Sequence, residues 1–177
     1  MKKLLILAIA PLMVSAFLSS CSDSKQVKTE TVKTETAKTE VEAPKVKSGG
    51  DNFVIDEIND QIKGFSIDGF HGGSAKLDKN EDLENMKKIV GYVKPIIAKI
   101  PAGYVMQITG HCANYDSDAT RKKVSKARAE KIYTELKKAG AGAKKMTYRG
   151  AGSDELREGY SDKDVKQRRV SFKAVKK

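Results

Sequence analysis

The stretch of sequence that decides the fold runs from Tyr104 to Ala139 and reads YVMQITGHCANYDSDATRKKVSKARAEKIYTELKKA. Its first six residues predict a β-strand over Tyr104–Thr109. A loop over Gly110–Ala119 follows, and either Asp118 or Thr120 is the expected N-cap of a helix that continues to about residue 139. The stretch therefore predicts a strand, a loop of ten residues and a helix in immediate succession.

The segments on either side supply further strands and a second helix. Upstream, Phe65–Phe70 alternates apolar and polar residues as a strand does, and Asn80–Ile100 carries its apolar residues on one helical face. Downstream, Lys145–Arg149 and Arg169–Val175 are predicted strands, separated by a loop or an irregular helix. Strands that alternate with helices predict an α/β sandwich with the helices on one face of the sheet. By length, residues 51–177 form one domain.

One charged residue interrupts the apolar stripe of the second helix. Val124, Ile132 and Leu136 mark the buried face, and Arg128 lies four residues after the first of them. A charge on such a face must be paired or must line a pocket. Arginine offers a planar fork of donors that suits a carboxylate, but it also serves as a structural residue that pairs within the core. The helix pattern alone leaves both interpretations open.

The beginning of the chain predicts export and lipidation. Two lysines precede the apolar run Leu4–Leu18, which is the layout of a secretory signal peptide and is short for a membrane span. Leu18-Ser19-Ser20-Cys21 resembles the bacterial lipobox, in which the cysteine thiol receives the lipid. We therefore predict a signal peptide over residues 1–20 and a lipid anchor on Cys21. The alternative is an ordinary signal peptide followed by a chance cysteine.

Residues 21–50 differ from the rest of the chain. Lys-Thr-Glu recurs every five residues, and large apolar side chains are almost absent. Such a segment cannot bury enough surface to offset its chain entropy, so a disordered linker is predicted. It ends in Ser48-Gly49-Gly50, a predicted flexible joint. Fully extended, the linker would reach about 100 Å, which makes it a tether between the lipid and the domain.

Charge and composition limit the classes of function. The net charge is +11, and residues 51–177 carry 26 basic against 18 acidic residues, a net +8. Anionic lipids, acidic wall polymers or nucleic acid would be attracted, although export argues against nucleic acid, and a merely solvated lysine-rich surface is equally consistent. The adjacent His111-Cys112 pair cannot easily act as base and nucleophile. Together with His71 it also lacks zinc-ligand spacing. Neither an enzyme, nor a metal site, nor a cofactor is expected.

Several spaced motifs resemble the OmpA-like C-terminal domain. In order, they are Thr109-Gly110-His111, Val124-Ser125-Lys126-Ala127-Arg128-Ala129, Gly150-Ala151-Gly152 and Gln167-Arg168-Arg169-Val170-Ser171-Phe172. The resemblance covers roughly residues 65–175 and implies a βαβαβ-type domain with a mixed sheet. A lipid anchor, a linker and this domain together are similar to the peptidoglycan-associated lipoproteins.

The resemblance implies a binding site for the peptidoglycan stem peptide. In the family, an arginine takes the carboxylate and an aspartate takes the ammonium group of the diamino acid. Arg128 matches the arginine, but Ala113 stands at the aspartate position and Arg121 replaces the asparagine that begins the helix motif. Asn114 is a candidate substitute for the missing acid because it offers a neutral oxygen, and Asp116 or Asp118 could reach in from the adjoining loop. An isolated arginine pocket would favour a carboxylate over a zwitterion.

Two functions remain open at this point. The first is an outer-membrane lipoprotein whose periplasmic domain binds peptidoglycan and links the membrane to the wall. The second is an OmpA-like scaffold whose pocket has lost wall binding and which contacts another envelope protein. Ala113 and Arg121 favour the second, whereas Arg128 favours the first. Ser22 after the lipidated cysteine is compatible with sorting to the outer membrane.

Overall fold

The computed structural model describes residues 49–177. The elements in chain order are α1 Gly49–Ile62, β1 Ser66–Ile67, α2 Asn80–Lys99, β2 Tyr104–His111, α3 Asp118–Lys138, β3 Met146–Gly152 and β4 Val170–Lys176. Short 3₁₀ turns precede β3 and β4 at Ala143–Lys145 and Val165–Gln167. Within the described residues no helix is both long and apolar enough to span a bilayer. The predictions for the signal peptide, for Cys21 and for the linker up to Ser48 lie outside this part of the chain.

The four strands form one mixed sheet in the order β1-β4-β2-β3. β2 and β3 are parallel, and α3 forms the crossover that connects them. β4 runs antiparallel to both β2 and β1. A single core cluster joins residues of all three helices with those of the sheet. Met106 and Ile108 of β2 are fully buried in it and lie beside Ala174 and Phe172 of β4. The predicted α/β architecture with a mixed sheet is confirmed.

Two glycines let α3 lie directly on the parallel strands. A Cβ atom on Gly110 of β2 would lie 1.9 Å from the Ser125 carbonyl oxygen, and one on Gly150 of β3 would lie 2.5 Å from the Lys126 nitrogen. Real Cβ atoms do not approach other atoms so closely, so both positions require glycine. The contact places the first half of α3, including Arg128, next to the carboxyl end of β2.

Helix α1 was not predicted and corrects the linker boundary. Gly49 and Gly50, expected to be a flexible joint, are the first two residues of this helix. Its Ile55, Ile58 and Ile62 are buried in the core. Its Asn59 closes the edge of β4, because the side-chain amide donates to the Ala174 carbonyl at 3.1 Å and accepts from the Ala174 N–H at 2.7 Å.

Other element boundaries differ from the predictions for identifiable reasons. The strand expected over Phe65–Phe70 is only Ser66–Ile67, because its partner β4 begins at Val170 and offers nothing to pair with the later residues. Phe70 instead forms an isolated bridge with Leu77. The N-cap of α3 is Ser117, whose hydroxyl accepts from the Thr120 N–H, rather than Asp118 or Thr120.

Candidate functional site

Arg128 is the centre of the site and is almost completely buried, with 1% of its surface exposed. Its guanidinium donates to three main-chain carbonyls: Nη1 to His111 at 2.7 Å, Nη2 to His71 at 2.9 Å and Nε to Ser74 at 2.9 Å. A fourth contact joins Nη1 to the Cys112 sulfur at 3.2 Å. Arg128 therefore ties the 71–74 loop to the end of β2, which is the structural role left open by the sequence.

Among residues 49–177, the same guanidinium has no carboxylate partner. None of the ion pairs formed within residues 49–177 includes Arg128. Burial lowers the pKa of Arg128, but an arginine stays protonated in proteins. Four of its five N–H groups are occupied by the contacts above, which leaves one N–H of Nη2. A buried cation held only by neutral groups stabilises any anion that reaches it.

A cavity of about 370 Å³ opens beside Arg128. Its wall combines the 71–74 loop, the end of β2, the first turns of α3 and the residue two positions before β4. The lining residues are Gly72, Gly73, Cys112, Ala113, Tyr115, Asp116, Thr120, Arg121, Val124, Arg128 and Arg168. Val124, predicted as part of the buried stripe, is only partly buried because it faces this cavity.

Two further guanidiniums line the cavity. Arg121 donates through Nη1 to the carbonyls of Tyr115, at 3.3 Å, and Asp116, and its Nη2 lies 3.5 Å from an Asp118 carboxylate oxygen. The Nε of Arg121 is buried without an acceptor among the described residues. Arg168 lies over the Tyr115 ring at 5.9 Å and takes part in none of the ion pairs within residues 49–177. The cavity thus presents three positive charges.

The structure brings together three of the candidate binding residues, whereas Asp118 pairs with Arg121 and does not line the cavity. Arg128, Arg121 and Asp116 all line the cavity, and Asp116 is exposed with a positive φ of 60°. Asn114 does not line it, because its Nδ2 donates to the Asp162 carboxylate at 2.9 Å. Ala113, at the position where the family has aspartate, does form part of the wall.

Sequence reasoning missed Arg168 as a site residue. In the sequence it is one of two adjacent arginines in a motif that resembles the family's last strand. Arg168 and Arg169 have different environments in the structure. Arg169 is buried and donates to Gln167 and to the Glu155 carbonyl, whereas Arg168 is partly exposed at the cavity. Arg168 ends the 3₁₀ turn Val165–Gln167 with φ −84° and ψ 79°, so strand alternation does not predict its direction, and no pattern in the sequence indicates that it lines the cavity.

His111 and Cys112, which follow one another at the end of β2, are both buried. His111 is buried, and its Nε2 lies 2.8 Å from the Ser171 hydroxyl. Burial, followed by the Arg169 and Arg149 guanidiniums, lowers the pKa of His111 to about 3, so the ring is neutral at physiological pH. Burial also raises the pKa of the Cys112 thiol. Cys112 therefore contributes a neutral, weakly polar surface to the cavity.

Comparison with known proteins gives the following matches. The model of the OmpA family matches residues 69–169. Among solved structures, the OmpA-like domain of FopA1 from Francisella tularensis is 18% identical, covering 62% of this chain and 69% of that one with a TM-score of 0.50. The C-terminal domain of Helicobacter pylori MotB is 14% identical, covering 64% and 85% with a TM-score of 0.51. The peptidoglycan-associated lipoprotein from Burkholderia pseudomallei is 15% identical, covering 62% and 89% with a TM-score of 0.48. At these identities the structural likeness shows the fold alone. No curated protein matches the chain.

Proposed function

Because the chain belongs to the OmpA family, we propose that it is an outer-membrane lipoprotein whose periplasmic domain binds peptidoglycan non-covalently and links the membrane to the wall. The observation that carries the proposal is Arg128, a buried cation at the edge of a cavity with no carboxylate of the described residues to pair with it. A carboxylate of the wall stem peptide supplies the missing charge. The charge-assisted hydrogen bonds that it would accept are among the strongest available to a protein.

Arg128 and Arg168 both donate hydrogen bonds to this carboxylate. Arg128 has one N–H free, so it contributes one hydrogen bond and a fixed positive charge. The Arg168 guanidinium forms no ion pair within residues 49–177, and Arg168 lines the cavity from the segment just before β4. The Tyr115 ring under Arg168 holds that guanidinium in place through a cation–π contact.

Wall binding is tested by co-sedimentation of the full chain, purified in detergent, with isolated sacculi. The wild type is expected in the pellet, and Arg168→Gln is expected to reduce the bound fraction at least fivefold. Lys137→Gln is the matched control, because it removes one exposed charge about 20 Å along α3 from Val124. Arg128→Ala is also expected to release the wall, but it disturbs the fold as well.

The outcome that contradicts wall binding involves the missing acidic residue. If the wild type stays in the supernatant and the Ala113→Asp variant sediments with the sacculi, the pocket of this chain does not bind the wall. The domain would then be a scaffold for another envelope protein, which is the second function that the sequence left open.

The membrane end of the link is proposed from the sequence. Residues 1–20 direct export, Cys21 receives the lipid, and residues 22–48 form the tether to the domain. Labelled palmitate is expected to be incorporated into the chain in a Gram-negative host and to be absent from Cys21→Ser. The labelled protein should then migrate with outer-membrane vesicles in a density gradient. Label retained by Cys21→Ser would contradict lipidation at this residue.

A further inference from the structure

The charges around the cavity are unbalanced. Among the described residues, Arg121, Arg128 and Arg168 line it, Asp116 is the one carboxylate that lines it, and the exposed Asp118 pairs with Arg121 from outside the lining. Asp116 is exposed, so solvent screens its charge, whereas Arg128 is 1% exposed and Arg121 is mostly covered. The electrostatic potential inside the cavity is therefore positive, which attracts anions and repels cations.

The inner wall beside Arg128 is apolar or nearly so. Cys112 is 6% and Ala113 4% exposed, and the partly buried Val124 of α3 lines the same cavity. A thiol, a methyl group and an isopropyl group offer an ammonium ion no oxygen to replace its water. Moving an ammonium group there would cost its desolvation without a compensating hydrogen bond. Such a wall instead fits a small apolar substituent.

Unused donors show where a carboxylate would be bound. Among the described residues, one Nη2 hydrogen of Arg128 and the buried Nε of Arg121 have no acceptor. The Arg168 guanidinium forms no ion pair within residues 49–177. All three groups belong to residues that line the same cavity.

We propose that the cavity selects a peptide end in which a carboxylate stands beside a small apolar side chain and an acylated, uncharged nitrogen. A zwitterionic end, with a free ammonium group next to its carboxylate, is discriminated against. The proposal rests on the proposed function in one respect, namely that the peptide end belongs to the wall stem peptide. The arginines provide the carboxylate contacts, and Ala113 with Cys112 and Val124 provides the apolar contact.

Chemically modified sacculi test the selection. Acetic anhydride caps free amino groups and leaves carboxylates, whereas carbodiimide with ammonia converts carboxylates to amides. The full chain in detergent is expected to bind acetylated sacculi at least as well as untreated ones, and amidated sacculi at least tenfold less. In Ala113→Asp, acetylation is expected to weaken binding. Acetylation that weakens wild-type binding as much as amidation does would overturn the proposal.

A charge control separates recognition from general attraction to an anionic wall. On acetylated sacculi, Arg168→Gln is expected to bind at least fivefold less than Lys137→Gln. Equal losses in the two variants would mean that the basic surface, and not the cavity, holds the wall, and would overturn the proposal.

Small probes make the ligand class measurable without the wall. N-acetyl-D-alanine, N-acetyl-D-alaninamide and free D-alanine are titrated into the full chain and followed by the NMR signals of its arginine side chains. We expect N-acetyl-D-alanine to bind at least fivefold more tightly than D-alanine, and the amide not to bind. Tighter binding of D-alanine overturns the proposal even if sacculi are bound. The expected order with no sedimentation refutes the wall function alone.

The mirror-image probe excludes the other source of such a peptide end. Protein C-termini carry L-residues, whereas D-alanine ends are a feature of wall peptides. A preference for N-acetyl-L-alanine over its D-form by fivefold or more would assign the cavity to a protein C-terminus and overturn the wall ligand.

Discussion

Replacing Arg128 with alanine removes the side chain that joins the 71–74 loop to the end of β2. Three main-chain carbonyls lose their donor, and the contact of the guanidinium with the Phe70 ring, 5.5 Å away, is lost as well. A hydrogen bond to a charged group contributes roughly 1.5–3 kcal/mol, so the three together amount to about 4–9 kcal/mol. Against this stands the cost of burying the cation, which is several kcal/mol.

The hydrogen bonds are expected to win, because losing them also leaves carbonyl oxygens in a partly closed site. We expect Arg128→Ala to lower the free energy of unfolding by about 3–5 kcal/mol, because each of the three carbonyls left without a donor costs about 1–3 kcal/mol and the burial cost of the cation is recovered in part. Urea unfolding followed by circular dichroism measures this, with Lys137→Ala as the surface control within about 0.5 kcal/mol. A loss below about 1 kcal/mol for Arg128→Ala would refute the reasoning. The guanidinium would then be retained for its ligand and not for the fold.

Two further stability measurements test the packing of α3 and the burial of His111. Gly110→Ala is expected to cost more than about 3 kcal/mol because its Cβ would meet the Ser125 carbonyl at 1.9 Å, whereas Gly91→Ala, inside α2 with no atom within 4 Å, should be neutral or stabilising by up to about 1 kcal/mol. Equal effects in urea unfolding would contradict the proposed α3–sheet contact. The folded-state pKa of His111, about 3, lies below the ordinary value of 6.5, so the stability it contributes is complete above pH 6.5 and is lost as pH falls toward 3. Between pH 6.5 and 5 the free energy of unfolding is expected to fall by about 2 kcal/mol. If a His111→Asn variant shows the same pH dependence, protonation of His111 is not the cause.

The long periodic elements could be predicted from the sequence. The boundaries of α2, α3, β2 and β4 are within one or two residues of the predictions, because each carries a repeating apolar pattern that its environment preserves. The resemblance to the OmpA family is confirmed, and the glycines of its motifs have a physical reason in the close approach of α3 to Gly110 and Gly150. Helix α1 also has an apolar pattern, Ile55, Ile58 and Ile62, but the glycines before it and the polar linker concealed it.

The contacts of the site could not be predicted in the same way. Arg128 was recognised as an exception, but its partners are main-chain carbonyls, which carry no side-chain signature in a sequence. Arg168 lies forty residues further along the chain and reaches the cavity only because β4 lies next to β2. The sequence predicts Asn114 as a substitute for the missing acid, whereas in the structure its side chain donates to Asp162 of a distant loop.

The position of α1 has a mechanical consequence if the chain is anchored as proposed. A pull between membrane and wall enters the domain at Gly49, the start of α1, before it reaches any strand. The first contact under tension is then the hydrogen bond that Asn52 accepts from the Tyr104 hydroxyl at 2.8 Å. The buried Ile55, Ile58 and Ile62 and the two hydrogen bonds of Asn59 to Ala174 follow. Peeling α1 away would expose the unpaired edge of β4 together with apolar core, which is a surface prone to aggregation. Helix α1 is thus the element that would detach first under a strong pull, and its detachment would leave the sheet and its arginine cavity in place.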